Sequence, residues 1–225
     1  MLLTLSCSRV LPWNDQPAAD EVNLSFTLKR NIIELPTVRI NNRPGRFLLG
    51  SAAPRTILDS SFAGKGPHAV QISEKETVRI HPSTMELGGV ADAILGAETW
   101  GNRAISIDYR SGLVTYQKSG IHTGLMTIFS YDADPMIYVN VDGVQVAAVV
   151  DTTSPDTLIL PGRTVTRGNA RISIAGNDFG VVDVQYANVS RARVGNRLLS
   201  RFFITIDYGK RVVGLWRDPR IGIED

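Results

Sequence analysis

Residues 147–160 read AAVVDTTSPDTLIL, and this stretch decides how the rest of the chain is interpreted. An apolar run leads into Asp151, two hydroxyl residues follow, and a Ser-Pro break precedes a second apolar run. A carboxylate at the end of a buried strand is costly unless hydrogen bonds hold its charge, and the hydroxyls and turn amides after Asp151 could supply them. Taken alone, the stretch has a purely structural interpretation, in which Asp151 opens an Asx-turn where a strand ends.

The same pattern occurs earlier in the chain, at residues 47–58, which read FLLGSAAPRTIL. A shift of 101 positions aligns the two stretches without a gap and places Gly50 on Asp151. A second pair of blocks, residues 94–109 and 193–208, aligns at a shift of 99 and ends in the same Ile-Asp-Tyr sequence. Two matched blocks in the same order and at nearly the same shift indicate an internal duplication.

These blocks resemble the retropepsin-like aspartic proteases, and the two fused copies resemble the two-lobed, pepsin-type arrangement of that family. The resemblance implies an all-β fold of two similar lobes that each contribute one catalytic aspartate to a shared site. The family's Asp-Thr-Gly sequence corresponds to Asp151, Thr152 and Thr153 in the second lobe. In the first lobe it corresponds to Gly50, Ser51 and Ala52. One of the two catalytic carboxylates is therefore replaced by Gly50, and the chain is a degenerate member of the pattern.

The missing carboxylate bears directly on catalysis. Aspartic protease chemistry needs two carboxylates that share one proton, so that one acts as base and the other as acid on a bound water. Loss of one such group costs roughly 10²–10⁴-fold in rate. Thr153, which is β-branched and stiff, replaces a small residue and is expected to crowd the same place. Ser51 and Thr152 keep the hydroxyls that, in the family, hydrogen-bond across the lobe interface.

Two function classes follow from this pattern and remain open at the level of sequence. The first is a non-catalytic protease homologue whose inter-lobe cleft binds a peptide or a protein partner. The second is an active aspartic endopeptidase that pairs Asp151 with an irregular acid, such as Asp59 or Asp156, or with a second chain. Dimerisation would require the Asp151 lobe to leave its internal partner, so a monomer is predicted.

The domain organisation follows the two copies. We expect a leader at residues 1–21, a first lobe at 22–116, a linker at 117–127 and a second lobe at 128–225. Alternating apolar residues at 70–80 correspond to the zone where the family has its flap, the hairpin that closes over substrate, and residues 171–186 are the second-lobe counterpart. Asp108 and Asp207, each next to a hairpin turn, are expected to fix turn geometry.

Composition excludes several other classes of protein. The formal net charge of +2 is spread over both halves, so nucleic-acid binding is not predicted. One cysteine, Cys7, and three scattered histidines do not form a metal-ligand pattern, and no cofactor or metal is predicted. A basic cluster is interpreted as a solvated helix face; it comprises Arg191, Arg193, Arg197 and Arg201.

The N-terminal sequence MLLTLSCSRV leaves two interpretations open. Its short apolar run ends at Cys7, as a bacterial lipoprotein signal does, which would imply export to the cell envelope and a lipid anchor at Cys7. The run is too short for a full signal and has no basic residues before it, so an ordinary N-terminus fits as well. No segment approaches the roughly 18 apolar residues of a membrane span.

Overall fold

The computed structural model describes residues 21–64, 66–117 and 125–218. Across these ranges the chain folds into 21 strands and two helices of one turn each, so the predicted all-β class is confirmed. None of the helices in these ranges is long and apolar enough to cross a membrane. Residues 1–20 of the predicted leader, including Cys7 and the signal-like run, lie outside the described residues, as does His122.

The N-terminal half, residues 21–117, contains twelve short strands and one helix. In chain order they are β1 (Val22–Ser25), β2 (Thr27–Lys29), β3 (Ile32–Glu34), β4 (Arg39–Ile40), β5 (Phe47–Leu49), β6 (Ile57–Asp59), β7 (His68–Gln71), β8 (Thr77–Ile80), β9 (Ser83–Met85), β10 (Ala93–Leu95), α1 (Ala97–Trp100), β11 (Ala104–Asp108) and β12 (Leu113–Gln117).

The C-terminal half, residues 125–218, contains nine strands and one helix, and several of its strands are longer. They are β13 (Thr127–Ser130), β14 (Met136–Val141), β15 (Val144–Val150), β16 (Leu158–Pro161), β17 (Thr166–Ile174), β18 (Asn177–Ala187), β19 (Ala192–Val194), α2 (Asn196–Leu199), β20 (Phe203–Asp207) and β21 (Val212–Trp216). The 117–127 linker is shorter than predicted, because Gln117 belongs to β12 and Thr127 begins β13.

A six-stranded sheet with the order β1-β12-β11-β20-β21-β13 joins the two halves. Each half contributes three antiparallel strands, and the middle pair, β11 and β20, aligns Ser106 with Thr205, residues that the sequence shift of 99 also matches. Their buried hydroxyls lie 2.9 Å apart. The sheet is therefore symmetric about this pair: β1 on β12 is matched by β13 on β21.

Outside this sheet the C-terminal half forms a closed barrel with the order β14-β15-β19-β16-β18-β17. The N-terminal half follows the same course but is split into a sheet of β2-β3-β5-β10-β6-β9 and a second sheet of β4-β7-β8. Prolines account for the split, since a proline cannot donate a ladder hydrogen bond. Pro36 separates β3 from β4, and Pro82 separates β8 from β9, where β14 and β18 continue unbroken.

In each half the matched sequence blocks include a pair of adjacent parallel strands. β5 lies beside β10 with Leu48 opposite Ile94, and β15 lies beside β19 with Val149 opposite Arg193. Gly96 follows β10 and Gly195 follows β19, at positions where a side chain would collide with the backbone. A Cβ on Gly96 would lie 2.3 Å from the Arg55 carbonyl oxygen, and a Cβ on Gly195 would lie 2.3 Å from that of Asp156.

Of the two hairpins at the predicted flap zones, the one at residues 171–186 is part of the closed barrel, and the one at residues 70–80 belongs to the three-stranded sheet of the N-terminal half. β17 pairs with both β14 and β18, and β18 also pairs with β16. β7 likewise pairs with both β4 and β8. Within the described ranges β8 is the edge strand of its sheet, so the hairpin at residues 70–80 has an unpaired edge and its role as a flap stays a prediction. Asp108 and Asp207 accept hydrogen bonds from the amides of their own hairpin turns, as predicted.

Candidate functional site

Ser51 and Thr152 join the two halves through four buried hydrogen bonds. The Ser51 amide donates to Thr152 Oγ1 and the Thr152 amide donates to Ser51 Oγ, both at 3.0 Å. Each hydroxyl then donates across the interface, from Ser51 to the Val150 carbonyl and from Thr152 to the Leu49 carbonyl, both at 2.6 Å. The two bonds of the Ser51 hydroxyl and the two bonds of the Thr152 hydroxyl are equivalent, because their partners also lie 101 positions apart in the sequence. A hydroxyl can both donate and accept, which is why one residue serves both bonds.

This contact brings the two matched positions together. Gly50 and Asp151 each lie one residue before it, so bond geometry keeps their Cα atoms less than about 12 Å apart. Their backbone amides are held in the same way, Gly50 by the Leu95 carbonyl at 3.0 Å and Asp151 by the Val194 carbonyl at 2.9 Å. The two residues thus occupy equivalent places at the ends of β5 and β15.

Both carboxylate oxygens of Asp151 are engaged by groups of its own half. Oδ1 accepts from the Thr153 amide at 3.0 Å and from the Thr153 hydroxyl at 2.6 Å. Oδ2 accepts from the Arg193 guanidinium at 3.1 Å. Asp151 is only 2% exposed, whereas the Arg193 side chain is 47% exposed. A buried carboxylate is tolerated when its charge is paired and hydrogen-bonded, and Thr153 and Arg193 provide both.

At the matched position in the first half there is no space for a carboxylate. A Cβ built on Gly50 would lie 2.4 Å from Cγ2 of Ile94. Ile94 is the counterpart of Arg193, since the two residues lie opposite Leu48 and Val149 in matching strand pairs. One half therefore has a glycine covered by an isoleucine, and the other has an aspartate paired with an arginine.

Thr153 has a role that the sequence analysis did not anticipate. Crowding by its branched side chain was expected, but its hydroxyl and amide bind Asp151 Oδ1 in an Asx-type turn. The matched Ala52 has no hydroxyl and faces no carboxylate at Gly50. The purely structural interpretation of the Asp151 stretch thus describes the local geometry.

Asn196 is a buried contact between the halves that the sequence analysis missed. Its Oδ1 accepts from the Tyr109 hydroxyl at 2.7 Å, and its Nδ2 donates to the carbonyls of Asn31 and Thr152, both at 2.6 Å. Burial raises the pKa of the Tyr109 hydroxyl, so it stays protonated and serves as the donor. No repeat signal marked Asn196, because its counterpart in the first half is Ala97.

The two alternative acids do not contact the Asp151 site. Asp59 Oδ1 accepts from the Ser61 amide and hydroxyl, and Oδ2 accepts from the Leu87 amide at 2.7 Å. Asp156 lines a small cavity together with Arg167. Each carboxyl belongs to its own half, and neither replaces the carboxylate that Gly50 lacks.

The hydrogen bonds to Asp59, first from the Ser61 hydroxyl and then from the Leu87 and Ser61 amides, lower its pKa from 3.8. A carboxyl whose pKa is lower in the folded than in the unfolded protein stabilises the fold at pH values above its unfolded-state pKa. This stabilisation is lost as the pH falls through its folded-state pKa. Asp59→Asn should therefore lower the melting temperature at neutral pH, and the difference should shrink below pH 3.8. Thermal melts with exposed Asp132→Asn as control test this; equal neutral-pH melting of Asp59→Asn and wild type would contradict it.

Comparisons with known proteins add no family assignment. No protein-family model matches the chain, and a search of curated proteins finds no significant match. Within the described residues, no group of three or more His, Cys, Asp or Glu side chains is placed to hold a metal ion. Function must therefore be inferred from the geometry around Asp151.

Proposed function

We propose that the chain is a two-lobed, retropepsin-like aspartic protease homologue that arose by internal duplication and no longer cleaves peptides. The symmetric sheet and the reciprocal bonds between Ser51 and Thr152 support the duplication, because both follow the sequence shifts of 99 and 101. The parallel strand pairs that end at Gly50 and Asp151 support the two equivalent lobes.

The state of Asp151 is the observation that carries the loss of activity. A catalytic pair requires two carboxylates close enough to share a proton and to bind one water. Here one oxygen of Asp151 is bound by Thr153 and the other by Arg193, and the facing position has neither a carboxylate nor space for one. The shared proton of a catalytic pair needs a second acid, and the Gly50 position offers none.

An active peptidase formed by two chains is disfavoured by the same contacts. Pairing Asp151 with its copy in another molecule would require separating the halves at Ser51 and Thr152. Four buried hydrogen bonds would then be broken, and their donors and acceptors would need new partners. The predicted monomer is consistent with this cost.

A binding role for the inter-lobe cleft is consistent with the exposure of Arg193. A guanidinium has five N–H donors, and nearly half of this side chain is exposed while one nitrogen is bound to Asp151. The remaining donors can bind carbonyl or carboxylate groups of a peptide or a protein partner. We therefore propose a ligand-binding protein with the fold, but not the chemistry, of an aspartic protease.

Peptidase activity tests this proposal. Purified full-length chain is incubated with casein from acid to neutral pH, with and without pepstatin, beside the Asp151→Asn variant. We expect no pepstatin-sensitive cleavage, and equal traces in both proteins, because Asp151 has no acid partner. Cleavage with an acid optimum that is absent from Asp151→Asn would show that the proposal is wrong.

A further inference from the structure

A cavity of about 730 Å³ is lined by residues of the C-terminal half together with Asn31 of the N-terminal half, and Asp151 is not part of its lining. It separates β18 from the segment that begins with α2, and the turn at Asn31 closes one side. Its volume is in the range of sites that bind small ligands or short peptide segments. The residues that line it include Thr157, Phe179, Val182, Asp183, Arg197 and Arg201.

In the N-terminal half, a carboxylate fills the corresponding place. Glu98, on α1, accepts hydrogen bonds from the Thr56 amide at 2.9 Å and from the His81 amide at 3.1 Å. These bonds tie α1 to the residue just before β6 on one side and to the residue just after β8 on the other. The arrangement is a complete carboxylate site in which the protein provides its own occupant.

The three residues of that site have counterparts at the cavity. Thr157 matches Thr56 in the aligned blocks, and Arg197 matches Glu98. Asp183 matches His81 because the strand registers agree: Ala69 lies opposite Arg79, and Arg171 lies opposite Val181. The carboxylate of Glu98 is thus replaced by the guanidinium of Arg197, which cannot accept a hydrogen bond.

The two backbone donors remain in place. Arg171 bonds through its amide and carbonyl to Asp142, so it does not exchange hydrogen bonds with Val181 across the ladder. Antiparallel pairs alternate, so two residues further on the Asp183 amide also points away from β17, toward the cavity. The Thr157 amide has no acceptor within the described part of the chain.

The charges around these amides favour an anion. Arg197 and Arg201 both line the cavity, and neither forms an ion pair with a described residue. The Asp183 carboxylate is directed to the Asn169 amide nitrogen, 3.0 Å away when that amide is oriented to satisfy both its atoms. Two unpaired guanidiniums beside two inward amides make a typical carboxylate-binding arrangement.

We propose that this cavity binds an acidic side chain of a peptide, whose carboxylate takes the position that Glu98 occupies in the N-terminal half. The carboxylate accepts from the Thr157 and Asp183 amides and pairs with Arg197 and Arg201. Phe179, Val182 and Leu198 provide an apolar surface for a neighbouring residue of the peptide. The site does not include Asp151, and the inference depends on the correspondence between halves but not on the loss of peptidase activity.

The probe is the peptide Ac-Phe-Glu-Leu-NH2, with Ac-Phe-Gln-Leu-NH2 as its neutral counterpart. Titration of ¹⁵N-labelled full-length protein should shift the amide resonances of Thr157 and Asp183 with the Glu peptide. The Gln peptide should bind at least about tenfold more weakly, since it cannot form the charged pairs. Sodium acetate in a parallel titration tests whether the peptide part contributes.

Arg197→Glu is the decisive variant, because it restores the residue type that closes the site in the other half. Its affinity for the Glu peptide should be at least about tenfold lower than that of wild type. The control Arg163→Glu makes the same charge change at an exposed position outside the cavity and should leave the affinity unchanged. If Arg197→Glu does not fold by its NMR spectrum, Arg197→Ala and Arg201→Ala should each weaken binding.

Several results would overturn the proposal. Equal binding of the Glu and Gln peptides would exclude charge recognition, and shifts confined to amides other than Thr157 and Asp183 would exclude this site. Wild-type affinity in Arg197→Glu, or in both alanine variants, would do the same. Acetate that binds as tightly as the Glu peptide would exclude a peptide as the preferred occupant.

Discussion

Replacing Thr152 by valine should lower the free energy of unfolding by about 2–6 kcal/mol. The valine fills nearly the same volume but removes the hydroxyl that accepts from the Ser51 amide and donates to the Leu49 carbonyl. Thr152 is fully buried, so both partners would remain dry and unpaired. Each unsatisfied buried group costs about 1–3 kcal/mol, which gives the expected total.

Denaturant unfolding measures this loss. Thr77→Val is the matched control, because Thr77 is exposed on β8 and should change stability by less than about 0.5 kcal/mol. Ser51→Ala should cost a similar amount to Thr152→Val, and the double variant should cost less than the sum, because each hydroxyl accepts from the amide of the other residue at one shared contact. A Thr152→Val protein as stable as the control variant would contradict the role of this contact.

Introducing an aspartate at position 50 should destabilise the protein and should not produce peptidase activity. Gly50 is buried, and a side chain there meets Ile94 Cγ2 at 2.4 Å. Overpacking costs about 1–3 kcal/mol, and an added buried carboxylate without a partner raises the loss further. Gly50→Asp should therefore unfold at clearly lower denaturant concentration and show no peptidase activity.

Ile94→Ala should relieve part of this loss, because it removes the atom that the new side chain meets. In a cycle of Gly50→Asp, Ile94→Ala and the double variant, we expect a favourable coupling of about 1 kcal/mol or more. Activity should stay absent in all three, since Arg193 and Thr153 still bind Asp151. Additive effects would contradict the steric account of Gly50, and cleavage by Gly50→Asp alone would contradict the functional one.

Much of the fold was predictable because the repeat is visible in the sequence. The shift of 101 placed Ser51 on Thr152, and these residues form reciprocal bonds; the shift of 99 placed Ser106 on Thr205, which face each other in the joining sheet. The strands that carry the matched blocks pair in equivalent ways in the two halves, so matched positions become spatial neighbours at the interface. The sequence could not show that Pro36 and Pro82 would split one barrel into two sheets.

The partner of Asp151 was not predictable from the sequence. Arg193 was grouped with neighbouring arginines and interpreted as part of a solvated helix face, but it lies on β19, and α2 is only four residues long. Its pairing depends on the parallel register of β15 and β19, which places Arg193 opposite Val149. Such a register connects residues more than 40 positions apart and has no local signal.

Of the two arginines that follow, Arg197 is an exposed residue of α2, as predicted, whereas Arg201 lies beyond that helix. Their spacing of four residues suggested a helix face in solvent, yet both Arg197 and Arg201 line the cavity beside β18. Comparison of Glu98 with Arg197 could have drawn attention to this place, because a charge reversal at a matched position requires a different partner. The hydrogen bonds of Glu98 define the groups that its counterpart Arg197 cannot bind, and these bonds are visible only in the structure.

The central claim is that Asp151 is a structural carboxylate paired with Arg193, and a double-mutant cycle between these residues tests it most directly. Unfolding free energies are measured for wild type, Asp151→Asn, Arg193→Met and the double variant. Asp151→Asn alone should cost about 1–3 kcal/mol. Because Arg193 is half exposed, we expect a coupling energy of about 0.5–1.5 kcal/mol. Single effects that simply add, with an Asp151→Asn variant at least as stable as wild type, would contradict the claim.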